Sequence, residues 1–97
     1  MARARENLNL RLQPYVGTPL AEVVAWLNSM EKRDANRKIE DLLVMGFLAY
    51  ARLDSGQFSA EKLRITCLAC CDAGDKHFST MRQTLQIEPA PMTALPA

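Results

Sequence analysis

The sequence predicts a mainly α-helical protein with one N-terminal β-strand, and three observations lead to that prediction. Residues 6–12, ENLNLRL, alternate polar and apolar side chains over the length of one strand. The segments that follow repeat apolar residues every three or four positions, which is the spacing of amphipathic helices. No second alternating segment appears, so the predicted strand has no partner in its own chain.

The predicted strand has an apolar face and a polar face, because successive side chains of a strand point to opposite sides. Leu8, Leu10 and Leu12 form the apolar face, and Asn7, Asn9 and Arg11 form the polar face. An isolated strand leaves its backbone N–H and C=O groups unpaired. We therefore expect an antiparallel pair with the same strand of a second molecule, which gives an intertwined homodimer with its polar faces outward.

Three helical segments are predicted after the strand. Thr18 and Pro19 are typical of an N-cap and a first helical residue, and the first helix should end near residues 28–30. After a charged connection, EKRDAN, the segment RKIEDLLVMGFLAYARL predicts a second helix, in which Gly46 indicates close approach of another helix. Ser59 should cap a third helix that ends at Gly74, and a last short helix should follow to residue 85.

These elements predict a DNA-binding and dimerisation domain over residues 1–54 and a C-terminal helical subdomain over residues 55–87. Residues 88–97 contain three prolines and no periodicity, which is typical of a disordered tail. The expected core of the dimer combines the strand with the second helix. Its residues are Leu8, Leu10, Leu12, Ile39, Leu43 and Gly46.

Composition and charge indicate a cytosolic globular protein. The chain has 97 residues, 48% of them apolar and 24% charged, and no apolar run is long enough to cross a bilayer. No secretory signal is recognised at the N-terminus. The net charge is only +1, but residues 1–38 carry seven basic and four acidic side chains, whereas residues 39–97 carry five and seven. The first third of the chain is thus the more basic part.

The outer face of the predicted ribbon suggests recognition of double-stranded DNA. A two-stranded ribbon fits the major groove, where Arg pairs with guanine and Asn with adenine through two hydrogen bonds each. Asn is a poor strand former, so its recurrence on one strand favours a role in base contacts. The candidate base-contacting residues are Arg5, Asn7, Asn9 and Arg11, and the candidate phosphate-contacting residues at the start of the second helix are Lys32, Arg33, Asn36 and Arg37.

Strand, capped helix, charged turn and second helix together resemble a ribbon-helix-helix DNA-binding domain. More narrowly, NLNLRLQP and AEVVAWLNSMEKRDANRKIEDLLVMGFLAY are similar to the ParR-type partition adaptors of plasmids. The resemblance implies a homodimer that binds tandem repeats of a centromere-like DNA site and assembles into a higher-order array. It also implies that the C-terminal segment captures the filament of an actin-like ATPase. The sequence departs from the pattern at Arg33, where these domains often have Gly.

Several alternatives remain open at this stage. Other ribbon-helix-helix proteins are repressors, antitoxins or relaxosome accessory proteins, and a helical interaction module without a DNA role is a further class. Cys67, Cys70 and Cys71 lie near His77, but no second ligand pair follows at the spacing of a zinc site, so we expect core cysteines and no metal. With a single histidine and no glycine-rich phosphate loop, we expect neither an enzyme nor a cofactor.

Overall fold

The computed structural model describes residues 4–87, and within that range the protein is all α-helical. Helix α1 spans Pro19–Asn28, α2 spans Lys32–Ser55 and α3 spans Ala60–Leu85. The predicted tail at residues 88–97 lies outside the described residues. None of the three helices is both long and apolar enough to cross a membrane.

The predicted N-terminal strand is absent, which corrects the expected fold class. Residues 4–14 have no regular secondary structure, and no strand occurs anywhere in residues 4–87. The physical reason is that a strand is held by hydrogen bonds to a neighbouring strand, and the rest of the described chain is helical or turn. The alternation of apolar and polar side chains therefore matched the pattern of a strand, but the described chain offers no second strand to which this segment could hydrogen-bond.

Helix α1 begins and ends as the sequence predicts. The hydroxyl oxygen of Thr18 accepts a hydrogen bond of 3.2 Å from the Ala21 backbone N–H, and Pro19 occupies the first helical position. The cap satisfies one of the donors that the first turn leaves unpaired, and Pro has no N–H to satisfy there.

Helix α2 begins earlier than expected, at Lys32. The charged segment EKRDAN was predicted to be a connection, but most of it forms the first turns of the helix, where the Ala35 N–H donates to the Glu31 carbonyl at 3.0 Å. Lys, Arg and Ala are good helix formers, and neither Gly nor Pro interrupts the segment. Ala35 is also the only buried apolar residue in residues 4–87.

Helix α3 is continuous through the position where the sequence predicted a break. Gly74 does not terminate it and Asp75 does not cap a new helix; instead the chain leaves α3 at Gln86, which adopts a left-handed conformation. Gly74 lies inside the helix on the side that faces α2. A β-carbon added at Gly74 would lie 3.8 Å from the Met45 sulfur.

The chain divides into two compact units, one extending to Arg37 and the other beginning at Lys38. In the second unit, α3 runs antiparallel to α2. The Arg52 guanidinium donates to the Thr66 hydroxyl oxygen at 2.8 Å, and the Cys70 thiol lies 3.8 Å from the Val44 carbonyl. Arg52 also lies 5.0 Å from the centre of the Phe58 ring, a cation–π contact that closes the loop end of this hairpin.

Within the described part of the single chain, no helix approaches Gly46. No atom lies within 4 Å of a β-carbon built there, so no described segment of the chain approaches it closely. The close helix contact occurs instead between Gly74 and Met45, one position before Gly46 along α2. Because neighbouring helical residues point about 100° apart, Gly46 faces away from the hairpin interior.

Candidate nucleic-acid interface

The candidate base-contacting residues lie on the N-terminal segment and are all exposed. Within residues 4–87, none of them has a hydrogen bond or an ion pair. Their amide and guanidinium groups are therefore available to a ligand. They are Arg5, Asn7, Asn9 and Arg11.

The leucines that alternate with these residues are exposed as well. Leu8 is 76% exposed, and Leu10 and Leu12 are 68% and 51% exposed. The structure thus does not separate the segment into a buried face and a solvent face. Apolar side chains at this exposure are costly in water, at roughly 1.5–3 kcal/mol for each large one that could be buried.

A capped loop joins the N-terminal segment to α1. The Thr18 hydroxyl donates to the Tyr15 carbonyl at 2.8 Å, and the Thr18 N–H donates to the same oxygen at 3.3 Å. Gly17 has a φ of +95°, which a residue with a side chain rarely adopts. The loop therefore anchors the point at which the N-terminal segment leaves the helical part of this unit.

A short turn carries the chain from α1 to α2. The Ser29 N–H donates to the carbonyl oxygens of Ala25 and Trp26 at 3.1 Å, and its hydroxyl donates to the Trp26 carbonyl at 2.6 Å. The Met30 N–H donates a hydrogen bond of 3.3 Å to the Leu27 carbonyl oxygen. These bonds satisfy the last carbonyls of α1, so α2 can start at Lys32, two residues after Met30.

The first two turns of α2 carry a basic face made of Lys32, Arg33, Asn36 and Arg37, which we call the α2 basic face. Residues three and four apart are neighbours on a helix, so these side chains are contiguous. All four are exposed, and within residues 4–87 no ion pair involves Lys32, Arg33 or Arg37. The face is therefore a cluster of exposed cations that form no ion pair with the described part of the chain.

Electrostatics make this cluster unfavourable for the helix itself. The N-terminus of a helix carries partial positive charge, and cations there are destabilising. Arg33 and Arg37, one turn apart, also repel each other by a few tenths of a kcal/mol. Asp34 in the first turn offsets part of this charge. A bound anion would relieve both unfavourable terms, which is the chemistry of a phosphate contact.

The residues predicted for the dimer core are exposed in the single chain. On α2, Ile39 and Leu43 are 39% and 42% exposed, and Gly46 has open space above its backbone. The sequence also placed Leu42, Tyr50 and Leu53 on this stripe, and the structure adds Phe47 beside them. Phe47 could have been found from its position one residue after Gly46 and four after Leu43.

The three cysteines lie on α3, and the prediction that they are core residues is wrong for two of them. Cys67 and Cys71 are exposed, and Cys70 is half-buried. The pKa of the Cys71 thiol lies above its usual value, mainly because of its hydrogen bond to Cys67, with further contributions from charge on Cys67, desolvation, Asp75 and Cys70. Across residues 4–87, no group of three or more Cys, His, Asp or Glu side chains is arranged to hold a metal ion.

The chain matches no protein-family model, no curated protein and no solved structure. Its resemblance to ribbon-helix-helix adaptors therefore depends on the residues quoted for it.

Proposed function

We propose that this protein is a non-enzymatic DNA-binding adaptor that acts as a homodimer in plasmid segregation. The observation that carries the proposal is the α2 basic face, whose three cations form no ion pair within residues 4–87. It lies in the same compact unit as the exposed Asn and Arg residues of the N-terminal segment. One unit thus offers both kinds of group that a DNA-binding protein needs.

Phosphate binding is the first step of the proposed mechanism. Lys32, Arg33 and Arg37 extend from the N-terminal turns of α2, where backbone N–H groups also attract anions. Phosphate contacts supply most of the affinity and fix the position of the protein on the duplex. They carry no information about base sequence.

Base recognition is assigned to the N-terminal segment. The Arg5 and Arg11 side chains can each donate two hydrogen bonds to guanine, and the amides of Asn7 and Asn9 can each donate to and accept from adenine. The four side chains are exposed and have no hydrogen-bond or ion-pair partner among residues 4–87. No internal hydrogen bond must therefore be broken before they contact a base edge.

The C-terminal helix supports an adaptor over an antitoxin. Antitoxins usually keep a disordered segment that wraps the toxin, whereas here α3 packs on α2 through Arg52, Thr66 and Cys70. The proposed adaptor assembles on tandem repeats of a plasmid site and couples the DNA to an actin-like ATPase filament. A repressor or a relaxosome accessory protein would share the DNA-binding step and differ in the partner.

A gel-shift series on DNA with tandem repeats and on random duplex tests the assignment. Arg11→Ala should reduce discrimination between the two DNAs by about 1–3 kcal/mol, because it removes a base contact. Arg37→Ala should weaken binding to both DNAs alike. It should also reduce the slope of the logarithm of the binding constant against the logarithm of salt concentration by about one. The titrations are performed between roughly 50 and 200 mM salt, where phosphate contacts dominate the change in affinity.

Arg64→Ala is the matched control for both substitutions. Arg64 is an exposed cation on α3 that is already paired with Glu61 at 3.2 Å, so its loss should leave DNA binding unchanged. Equal losses from Arg11→Ala and Arg37→Ala on the two DNAs would contradict the division of roles. Failure of the wild-type protein to shift any duplex at low salt would refute DNA binding.

Co-sedimentation with polymerised actin-like ATPase tests the coupling step. The DNA-bound protein should sediment with filaments, and protein without filaments should stay in the supernatant. A protein that binds the tandem repeats but never sediments with filaments would be a repressor or an accessory factor instead.

A further inference from the structure

Two of the three cysteines on α3 form a pair of neighbouring exposed thiols. Cys67 and Cys71 are four residues apart on a continuous helix, so their side chains lie on the same face one turn apart. Both residues are exposed. A side-chain hydrogen bond with Cys67 is the largest cause of the raised pKa of Cys71, so the two thiols are close to each other. We call Cys67 and Cys71 the thiol pair.

Cys70 is directed toward α2 instead. It is half-buried, and its thiol lies 3.8 Å from the Val44 carbonyl oxygen. Its charge is the last and smallest of the contributions to the raised pKa of Cys71. The Cys70 sulfur is thus engaged at the contact between α2 and α3, and the exposed face of α3 presents two sulfur atoms.

The helix disfavours a disulfide within the thiol pair. Side chains four residues apart on a helix have β-carbons about 5–6 Å apart, whereas a disulfide brings its two β-carbons to about 3.5–4.5 Å. Closing that gap would distort α3, which is continuous over Ala60–Leu85. An ion bound between the two sulfurs spans the gap without moving the backbone. The spacing therefore suits chelation better than oxidation.

The number and type of donor atoms select a soft cation with few ligands. Thiolates bind soft ions such as Cu(I), as well as zinc and the iron of iron–sulfur clusters. Structural zinc takes four ligands and iron–sulfur clusters take four cysteines, but residues 4–87 contain no group of three or more Cys, His, Asp or Glu side chains that could hold an ion. Cu(I) is satisfied by two thiolates in a line, so the donor set of the thiol pair matches Cu(I).

The charges around the thiol pair also favour a cation. Asp75 lies four residues after Cys71, one turn further along the same face, and its charge contributes to the raised pKa of that thiol. A nearby carboxylate attracts a cation, although its hard oxygen is a poor ligand for Cu(I). The basic side chains on the flanking turns, Arg64 and Lys76, each form an ion pair with a carboxylate of α3.

We infer that Cys67 and Cys71 chelate one Cu(I) ion on the exposed face of α3. Binding breaks two S–H bonds, forms two Cu–S bonds and releases two protons to solvent. Copper remains Cu(I), so the step needs no oxidant or reductant. The thiol pair belongs to the second compact unit, whereas the DNA contacts of the proposed function belong to the first. The inference does not depend on that function.

Anaerobic titration of the full chain with Cu(I), in competition with the chelator bicinchoninate, tests the site. The wild-type protein should bind one copper per chain. Cys67→Ala and Cys71→Ala should each weaken the affinity by about a hundredfold or more, because the second sulfur of a chelate binds at a high effective concentration. Cys70→Ala is the matched control and should bind as the wild type does, since its sulfur faces Val44. Circular dichroism confirms that each variant keeps its helices.

A variant that moves one thiol tests the spacing at a constant number of thiols. In a Cys70→Ala background, Cys67→Ala is combined with Ala69→Cys, which leaves thiols at positions 69 and 71. Both positions are exposed. Because neighbouring helical residues point about 100° apart, these two thiols lie on different faces of α3. The variant should lose as much affinity as Cys67→Ala does, whereas the Cys70→Ala background should retain the ion.

The pH dependence of binding shows how many thiols take part. Metal binding releases the thiol protons, so the apparent affinity rises with pH. Between about pH 6 and 8, below the usual pKa of a cysteine, the affinity of Cys70→Ala should rise about a hundredfold per pH unit because two protons are released. When Cys67→Ala is added, one thiol remains and the rise should be about tenfold.

Several outcomes would overturn the inference. They are a wild-type protein that takes no copper from bicinchoninate, one copper for every two chains, loss of the ion in Cys70→Ala, or a moved-thiol variant that binds as tightly as its background. A tenfold rise per pH unit in Cys70→Ala would also contradict two-thiol chelation. These titrations contain no DNA, so their failure would leave the proposed function standing, and a failed gel shift would leave the copper site standing.

Discussion

Thr18 is the residue that holds the first helix and the preceding loop together. Its side-chain oxygen accepts from the Ala21 N–H and its hydroxyl donates to the Tyr15 carbonyl. Thr18→Ala removes both bonds, and we expect a loss of about 1 kcal/mol in the free energy of unfolding. Urea denaturation followed by circular dichroism measures this change.

Two further variants test the role of the Thr18 hydroxyl. Thr18→Ser retains the oxygen and should recover most of the stability. Thr84→Ala, at an exposed position inside α3, is the matched control and should not destabilise the protein. A Thr18→Ala protein as stable as wild type would show that the cap contributes nothing in solution.

The thiol pair on α3 predicts a pH-dependent reactivity. The pKa of Cys71 is raised chiefly by its hydrogen bond to Cys67. Because the thiolate is the reactive form, Cys67→Ala should shift the alkylation profile of Cys71 to lower pH. Iodoacetamide rates in a Cys70→Ala background, across about pH 7 to 10, measure the shift.

The sign of the shift follows from which form the hydrogen bond stabilises. The hydrogen bond to Cys67 and the charge on Cys67 both raise the pKa of Cys71, so removal of Cys67 should make the Cys71 thiolate available at lower pH. Asp72→Asn is the control, because Asp72 pairs with Lys76 and does not contribute to the shift. An unchanged profile in Cys67→Ala would exclude the thiol pair as the cause.

Among the elements, α3 continues through Gly74, which lies against α2. A β-carbon at this position would meet the Met45 sulfur at 3.8 Å, which is ordinary contact distance. Gly74→Ala should therefore stabilise the protein by about 1 kcal/mol, since alanine favours the helix. The urea midpoint of unfolding measures the gain, and Ala73→Gly one residue earlier should produce a loss of similar size.

The same substitution distinguishes a continuous helix from a broken one. If Gly74 ended a helix in a left-handed conformation, alanine there would destabilise the protein. Gly56 provides the comparison, because it follows α2 with a φ of +71° and should lose stability on replacement by alanine. Destabilisation at both positions would contradict the uninterrupted α3.

For the whole molecule, exposed apolar area predicts that stability depends on concentration. Only Ala35 and Thr66 are buried in residues 4–87, which is too small a core for a stable single chain. Because association stabilises only the folded form, the Tm of the wild-type protein should rise with concentration. Gly46 belongs to the expected dimer core, so replacement by Leu should weaken association and the Tm of Gly46→Leu should stay nearly constant over the same range.

Differential scanning calorimetry across a dilution series measures this dependence. Ala51→Leu is the control, because Ala51 is exposed on α2 outside the expected dimer core, and it should behave as wild type does. A wild-type Tm that is independent of concentration would mean that the single chain supplies its own stability, despite the exposure of Leu8 and Tyr50.

Part of the candidate site was visible in the sequence. Residue types identified the Asn and Arg groups of the N-terminal segment and the cations of α2, because their hydrogen-bonding chemistry is intrinsic to the side chain. Their exposure, and the lack of an ion pair at Arg33 and Arg37 among the described residues, depend on which side chains lie nearby. The exposure of Cys67 and Cys71 was missed for the same reason.

The sequence by itself determined the features that depend on a few neighbouring residues. The Thr18 and Ser59 caps and the apolar periodicity of the helices involve interactions within about four positions. Only the tertiary structure decided the others. The alternating segment lacks a strand because a ladder needs a second segment. Gly74 lies inside α3 with Met45 of α2 against it, whereas Gly46 faces open space. Each of these outcomes depends on what lies opposite a residue, which its neighbours in sequence do not specify.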